Sequence, residues 1–146
     1  MDNQLLPEHT FGYTHDNSTV IWDVKDIWKV ADKLPVIKLS VDLFTLAAEY
    51  VQQEYDDSDW TRVDEANLQY PVLVGKCQKA DDNYLVIDGF HRIAKHIRKG
   101  HRTIPCKIIK KMPPPLWVKG KPFEIDGLNF DWVSKHSPSQ ESWLNW

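Results

Sequence analysis

The fold of this chain is decided by residues 84–109, whose sequence is YLVIDGFHRIAKHIRKGHRTIPCKII. A short apolar run at residues 84–87 is typical of a strand, and Asp88-Gly89 interrupts it. Apolar residues then recur at helical spacing, namely Phe90, Ile93, Ala94 and Ile97. Gly100 is expected to end the helix, because glycine adopts the left-handed cap conformation that other residues avoid. The stretch therefore predicts a strand, a tight turn, a helix and, at residues 103–109, a second strand.

The start of this predicted helix is a candidate anion-binding site. The first backbone N–H groups of a helix have no intrahelical partner and carry partial positive charge. Gly89 lets a ligand approach the backbone, His91 can donate a hydrogen bond, and Arg92 can present two N–H groups to one phosphate. Lys95 lies one turn further along, where it either reaches the same anion or is solvated.

Asp88 has two interpretations, and the sequence leaves both open. An Asp before Gly is often a turn residue whose carboxylate caps the following backbone. In a site for phosphate chemistry, the same carboxylate is a base or a metal ligand.

The motif resembles a known family signature. Residues 87–92, Ile-Asp-Gly-Phe-His-Arg, followed by Ala94, Gly100 and Ile104-Pro105, resemble the Asp-Gly-x-His-Arg signature of the ParB/sulfiredoxin-like fold. The resemblance covers residues 72–109 well and residues 20–71 loosely. Family members place this turn against the phosphates of a nucleotide. They use it for CTP hydrolysis, ATP-dependent sulfinic acid repair, phosphorylation of free serine, or nuclease activity.

The resemblance implies a set of site residues and ligands. It implies ATP or CTP as the nucleotide, together with Mg²⁺. The implied phosphate-binding residues are Gly89, Phe90, His91, Arg92 and Lys95, and the implied catalytic residues are Asp88, His91 and Arg92. Some members also place an acidic residue from the amino-terminal half near the nucleotide, and Asp42 and Glu49 are candidates for it.

Two departures from the family pattern narrow the function. Sulfiredoxins carry their reactive cysteine at the position of Phe90, so sulfinic acid repair is not expected. Arg92 matches the last arginine of the partition proteins' motif, but His91 replaces the arginine before it, so CTP specificity is not implied. We therefore expect an NTP-dependent phosphotransferase or NTPase. The alternatives are a small non-catalytic module that binds DNA or RNA or regulates a partner, and a metal-dependent nuclease.

Charge is distributed unevenly along the chain. The net charge is −3, yet residues 89–112 contain eight basic residues and no Asp or Glu. The local positive charge favours a polyanion such as a triphosphate, although a solvated helix face can have the same composition.

The sequence also favours a cytoplasmic protein that makes no membrane contact. No apolar run approaches the length of a membrane span, and the first residues lack the features of a signal peptide. The two cysteines, Cys77 and Cys106, show neither metal-ligand spacing nor a disulfide-rich pattern. Reduced core thiols are therefore the favoured interpretation.

The chain as a whole is predicted to be an α+β protein, with a small mixed sheet and helices packed on it. Residues 1–18 are expected to form an irregular arm and residues 19–111 the ParB/sulfiredoxin-like domain. Residues 112–146 are expected to form a Pro- and Trp-rich extension packed on the same domain, containing a β-hairpin at Asp126-Gly127.

Further elements are predicted before the motif. Strands are expected near residues 19–24, 34–39 and 70–74, and helices at residues 24–31 and 41–55. The acidic segment 56–69 is predicted to be a surface loop or a loosely helical excursion. A functional interpretation makes it a lid over the site, with a carboxylate that helps to hold Mg²⁺. His96 and His101 are predicted to lie on the surface.

Overall fold

Two sheets and several short helices form an α+β fold in the part of the chain that the computed structural model describes, which is residues 9–44, 49, 52–76, 84–123 and 128–130. In chain order the elements are β1 (Thr10–His15), β2 (Ser18–Asp23), α1 (Val24–Ala31), β3 (Ile37–Ser40), a 3-10 helix (Val41–Phe44), α2 (Asp57–Glu65), β4 (Val72–Lys76), β5 (Tyr84–Asp88), α3 (Phe90–Arg98), β6 (Thr103–Ile109) and β7 (Trp117–Lys119). None of the described helices is long and apolar enough to cross a membrane.

The chain divides into two compact units. One unit combines Met1–Lys33 with Lys110–Trp146, and the other is the continuous segment Leu34–Ile109. These limits differ from the predicted boundaries at residues 18 and 111, and the predicted domain organisation stays a prediction.

The first unit contains the antiparallel sheet β1-β2-β7. Part of the arm that we predicted to be irregular is its edge strand β1. Asp16 and Asn17 connect β1 to β2 with backbone φ angles of 47° and 65°. Asn and Asp tolerate the left-handed conformation that a two-residue hairpin turn requires. The hairpin was missed because the turn lacks the glycine that usually marks it.

The core of the first unit is built around Trp22, which is fully buried. Its indole Nε1–H donates to the carbonyl of Pro113 over 2.8 Å, so the one polar atom of the ring is satisfied. Phe130 packs edge-on against the same ring, with 5.2 Å between ring centroids. Asn129 forms an isolated bridge with Lys111. The turn of the predicted C-terminal hairpin, Asp126-Gly127, lies outside the described residues.

The second unit contains the mixed sheet β3-β6-β4-β5. Strands β3 and β6 are antiparallel, β6 and β4 are parallel, and β4 and β5 are antiparallel. The prediction of a small mixed sheet is confirmed, as are strand β5, helix α3 and strand β6. Helix α3 packs on this sheet through Ile93, which is fully buried.

The acidic segment contains a regular helix, α2, where a loop or a loose helical excursion was expected. Asp56 and Asp59 form a reciprocal capping box at its start: each side chain accepts a hydrogen bond from the backbone N–H of the other. The bond from Asp59 lowers the pKa of the Asp56 carboxyl. Val63 anchors the helix, because it is fully buried and packs with Ala94 of α3. Helix α2 therefore lies directly beside the helix of the motif.

The predicted helix at residues 41–55 begins differently from expectation. Its first turn is a 3-10 helix, Val41–Phe44, and Glu49 and residues 52–54 are helical. Ser40 precedes this turn, and its hydroxyl accepts a hydrogen bond from the backbone N–H of Asp42. Ser40 therefore caps this turn, and the described part of the segment contains more than one helix type.

Replacing Ile93 with alanine should lower the free energy of unfolding by about 2–5 kcal/mol, because it removes buried methylene groups and leaves a cavity under α3. Urea titration followed by tryptophan fluorescence measures the loss. The control is Val36→Ala, at a side chain that is 55 % exposed, which should change the stability by less than about 0.5 kcal/mol. Equal losses in the two variants would contradict this description of the core.

Candidate anion-binding site

The turn before α3 depends on Gly89. Its backbone has φ 118° and ψ 24°, a conformation that residues with side chains rarely adopt. A Cβ atom at this position would lie 3.0 Å from Nη2 of Arg92 and 3.1 Å from Cγ2 of Val72. Glycine is therefore required here both for its backbone angles and for the space that Arg92 and Val72 occupy.

Helix α3 begins immediately after this turn. Its first intrahelical bond runs from the N–H of Ile93 to the carbonyl of Gly89, over 2.9 Å. Gly89, the N-cap residue, has no side chain and makes no capping hydrogen bond. The N-terminus of α3 carries the positive end of the helix dipole, which makes it a candidate site for an anion.

Arg92 and Asp88 form an ion pair across the turn. Nη2 of Arg92 lies 3.3 Å from Oδ2 of Asp88, one helical turn apart in sequence. The arginine side chain is only 17 % exposed, while the carboxylate is 34 % exposed. Asp88 therefore holds the guanidinium against the turn. A cation is thus held in one orientation at the start of a helix.

His91 lies beside the first turn of α2. Its ring is 5.5 Å from the ring of Tyr55, and its Nε2 is 3.9 Å from Oδ1 of Asp59. Both the imidazole and the carboxylate are about one-third exposed. Asp59 and Tyr55 were missed as site residues by the sequence analysis. The Asp-x-x-Asp pattern of the capping box could have located the start of α2, but nothing in it indicates that this start faces His91.

Lys95 lies apart from the anion site. Its ammonium donates to the carbonyls of Asp64 and Ala66, each over 2.8 Å. These carbonyls belong to the C-terminal end of α2, where a cation complements the helix dipole. Of the predicted phosphate-binding residues, the structure thus brings Gly89, Phe90, His91 and Arg92 to the turn. Lys95 instead contacts the neighbouring helix α2.

The other end of α3 is held by two groups from α2. Arg98 forms an ion pair with Asp64, and its guanidinium lies 5.4 Å from the centroid of the Trp60 ring. The Trp60 ring in turn contacts Tyr55 edge-on, with 5.7 Å between centroids. Helix α3 is therefore fixed along its length by α2, and this contact limits how far its N-terminus can move.

His96 is buried rather than on the surface, so that prediction was wrong for this residue. The residue lies near the C-terminal end of α3 and is only 5 % exposed. Burial lowers the pKa of His96, and the nearby charges of His101, Arg92 and Lys99 lower it further. His101 is exposed, as predicted.

The described cysteine is not a nucleophile. Cys106 is fully buried in β6, and its thiol contacts the carbonyl of Ile104 at 3.2 Å. Burial raises the pKa of Cys106 to about 12. It remains a thiol at neutral pH, so the prediction of a reduced core cysteine is confirmed for Cys106. Cys77 lies outside the described residues.

The described residues thus form an α+β fold with a candidate anion-binding turn between a strand and a helix. No protein-family model matches the sequence, and no curated protein matches it. The fold is similar to the crystal structure of sulfiredoxin from Arabidopsis thaliana, with 22 % sequence identity and a TM-score of 0.36. The matched region covers 51 % of this chain and 83 % of that chain. The likeness is one of fold and assigns no role to any residue here.

Replacing Gly89 with alanine should destabilise the protein more than the same change at Gly100. Both glycines have positive φ angles, of 118° and 77°, so each variant should lose about 1–2 kcal/mol from backbone strain. A Cβ at Gly100 would meet nothing within 4 Å, whereas at Gly89 it would crowd Arg92 and Val72. Urea titration of both variants gives the difference, and a loss at Gly100 as large as that at Gly89 would contradict the steric argument.

Proposed function

We propose that the turn at Asp88-Gly89 and the first turn of α3 bind the phosphates of a nucleoside triphosphate, and that the protein is an NTP-dependent phosphotransferase or NTPase. One observation carries the proposal. A glycine in a left-handed conformation at the N-cap, the N-terminus of a helix and a largely buried arginine meet within one helical turn. This is the combination that a phosphate group needs: backbone approach, N–H donors and a fixed positive charge.

The local charge also supports an anionic ligand. Residues 89–112, which include α3 and β6, contain eight basic residues and no acidic one, while the whole chain has a net charge of −3. A triphosphate would therefore be attracted to this segment more than to the rest of the chain. The charge of the segment is read from the sequence and the geometry of the turn from the structure, so the two observations support an anionic ligand independently.

In this proposal Arg92 stabilises the negative charge of the phosphate that is transferred. Positioning and charge neutralisation supply most of the catalysis in phosphoryl transfer. Asp88 orients the guanidinium through the 3.3 Å ion pair. Water or an acceptor hydroxyl attacks the terminal phosphorus, and the bond from that phosphorus to the bridging oxygen breaks. The nucleoside diphosphate is the leaving group.

His91 is proposed to act as the general base that accepts the proton of the attacking hydroxyl. Its imidazole lies between the ring of Tyr55 and the carboxylate of Asp59, which together limit its orientation. A neutral imidazole accepts the proton that the nucleophile loses. Asp59 would stabilise the resulting cation, although at 3.9 Å it is an ion-pair partner rather than a hydrogen-bond partner.

Mg²⁺ fits this site only as a companion of the triphosphate. Among the described residues, no group of three or more His, Cys, Asp or Glu side chains is placed to hold a metal ion. Mg²⁺ keeps several water ligands and takes one or two carboxylates together with phosphate oxygens, so Asp88 would be the candidate protein ligand at the turn. The ion would add charge neutralisation at the phosphates.

The proposal is tested by a thermal-shift panel of ATP, GTP, CTP and UTP with Mg²⁺. At a nucleotide concentration of about 100 times Kd, binding should stabilise the wild type by about 2.7 kcal/mol, because the ligand binds only the folded state. Arg92→Ala should abolish the shift. The matched control is Arg98→Ala, at the other end of the same helix, where the guanidinium is engaged with Asp64 and Trp60. It should keep the shift.

Three results would count against the proposal. A shift that survives in both Arg92→Ala and Arg92→Lys places the nucleotide elsewhere. The absence of a shift with any nucleotide removes the NTP ligand. A stabilisation by short DNA or RNA that depends on Arg92 and falls steeply with salt would instead favour the non-catalytic nucleic-acid-binding module.

A further inference from the structure

Two histidines form a contact at the end of α3 that the anion site does not use. Nδ1 of His96 lies 2.8 Å from Nδ1 of His101. The rings are inclined at 54°, with 5.1 Å between their centroids. A backbone hydrogen bond joins the same two residues, since the N–H of His101 donates to the carbonyl of His96 over 3.0 Å. The two residues thus join the last turn of α3 to the segment that enters β6.

The distance between the two nitrogens fixes the number of protons between them. At 2.8 Å one nitrogen must carry a proton and the other must present its lone pair, because two lone pairs or two N–H groups would repel each other. One ring is therefore protonated on Nδ1 and the other is not.

Burial determines which ring is the donor. Nε2 of His96 is buried and has no hydrogen-bond partner among the described residues. A proton on that atom would be a buried donor without an acceptor, which is costly, so His96 carries its proton on Nδ1. His101 then accepts on Nδ1 and keeps its own proton on Nε2, and this residue is exposed.

We propose that His96 and His101 form a proton-sensitive clasp, which fastens the end of α3 to the start of β6 at neutral pH and opens when the pair takes up a further proton. A proton added to Nδ1 of His101 places two N–H groups against each other. A proton added to Nε2 of His96 leaves its Nδ1–H donor in place but creates a buried cation with an unsatisfied N–H group. The first route breaks the hydrogen bond and the second favours exposure of the His96 ring, so protonation and opening are coupled.

The surrounding charges strengthen this coupling. His101 faces His96 from the segment before β6, and Arg92 and Lys99 face it from α3 itself. All three are positive or become positive on protonation. Two acids of α2 that contact α3 are engaged with other residues, because Asp64 pairs with Arg98 and Asp59 lies 3.9 Å from His91. Among the described residues, no acid is identified that would compensate a charged His96.

The direction of the pH effect follows from the lowered pKa of His96. The unfolded chain takes up the proton near the ordinary value of 6.5, and the folded chain takes it up only at lower pH. The clasp therefore contributes fully to the free energy of opening above pH 6.5, and this contribution is lost as the pH falls below that value toward the pKa of His96 in the folded chain. For a single proton, the opening equilibrium changes by up to about tenfold per pH unit in this window.

The first test is the protonation pattern of the wild-type rings in long-range ¹H–¹⁵N spectra at pH 7.5. We expect His96 to be protonated on Nδ1 and His101 on Nε2, with a ¹⁵N–¹⁵N coupling across the hydrogen bond. Two rings that both carry their proton on Nε2, without such a coupling, would overturn the proposal.

The second test is hydrogen exchange of the His101 amide, with the Ile93 amide of the same helix as an internal reference. The protection of His101 should fall by up to about tenfold per pH unit below pH 6.5, and the protection of Ile93 should fall less. His101→Ala should already show the low protection at pH 7.5. His15→Gln, at an exposed histidine outside residues 34–109, should behave like the wild type.

The hydrogen-exchange test separates a clasp from a histidine that is merely buried. A merely buried His96 predicts that His101→Ala leaves the protection of residue 101 unchanged at pH 7.5, and that result would reject the clasp. None of these measurements uses a nucleotide. The clasp and the proposed function therefore succeed or fail independently.

Discussion

The second unit depends on the close approach of three groups at the start of α3: the backbone of Gly89, the isopropyl group of Val72 and the guanidinium of Arg92. Val72 is fully buried in β4, which lies between β6 and β5 in the sheet. The same contact therefore sets the angle at which the chain leaves β5 and the position of the arginine. The packing of Val72 and the orientation of Arg92 at the candidate anion site therefore both require glycine at position 89, because a Cβ there would crowd the two side chains.

Helix α2 determines the surroundings of that site more than the motif itself does. Its first turn provides the carboxylate beside His91, its middle packs Val63 against Ala94, and its last carbonyls accept the ammonium of Lys95. A segment that is acidic and polar in sequence thus becomes the partner of a basic helix. Asp64 and Arg98 form an ion pair across this contact.

The elements around the motif could be predicted because each follows from local patterns. The alternation in β5, the helical spacing of α3 and the left-handed Gly100 are all properties of neighbouring residues, and they agree with one another. The same holds for the turn chemistry that indicated an anion site. The role of Lys95 could not be predicted in this way, because its acceptors are more than twenty residues earlier in the chain. The burial of His96 was missed because a histidine among charged residues on a helix is ordinarily expected to be exposed.

The two units differ in how far apart along the chain their partners lie. The second unit is a continuous segment that ends with β6 at Ile109, so all of its strands have been synthesised once that residue has emerged. The first unit must join β2 to β7, and the indole of Trp22 must reach a carbonyl 91 positions later. Closing so long a loop is slow, and domains fold in the order in which they become available during synthesis. We expect the segment that carries the candidate anion site to fold first, while the pairing of β2 with β7 and the bond from Trp22 to Pro113 form only after the later residues have emerged.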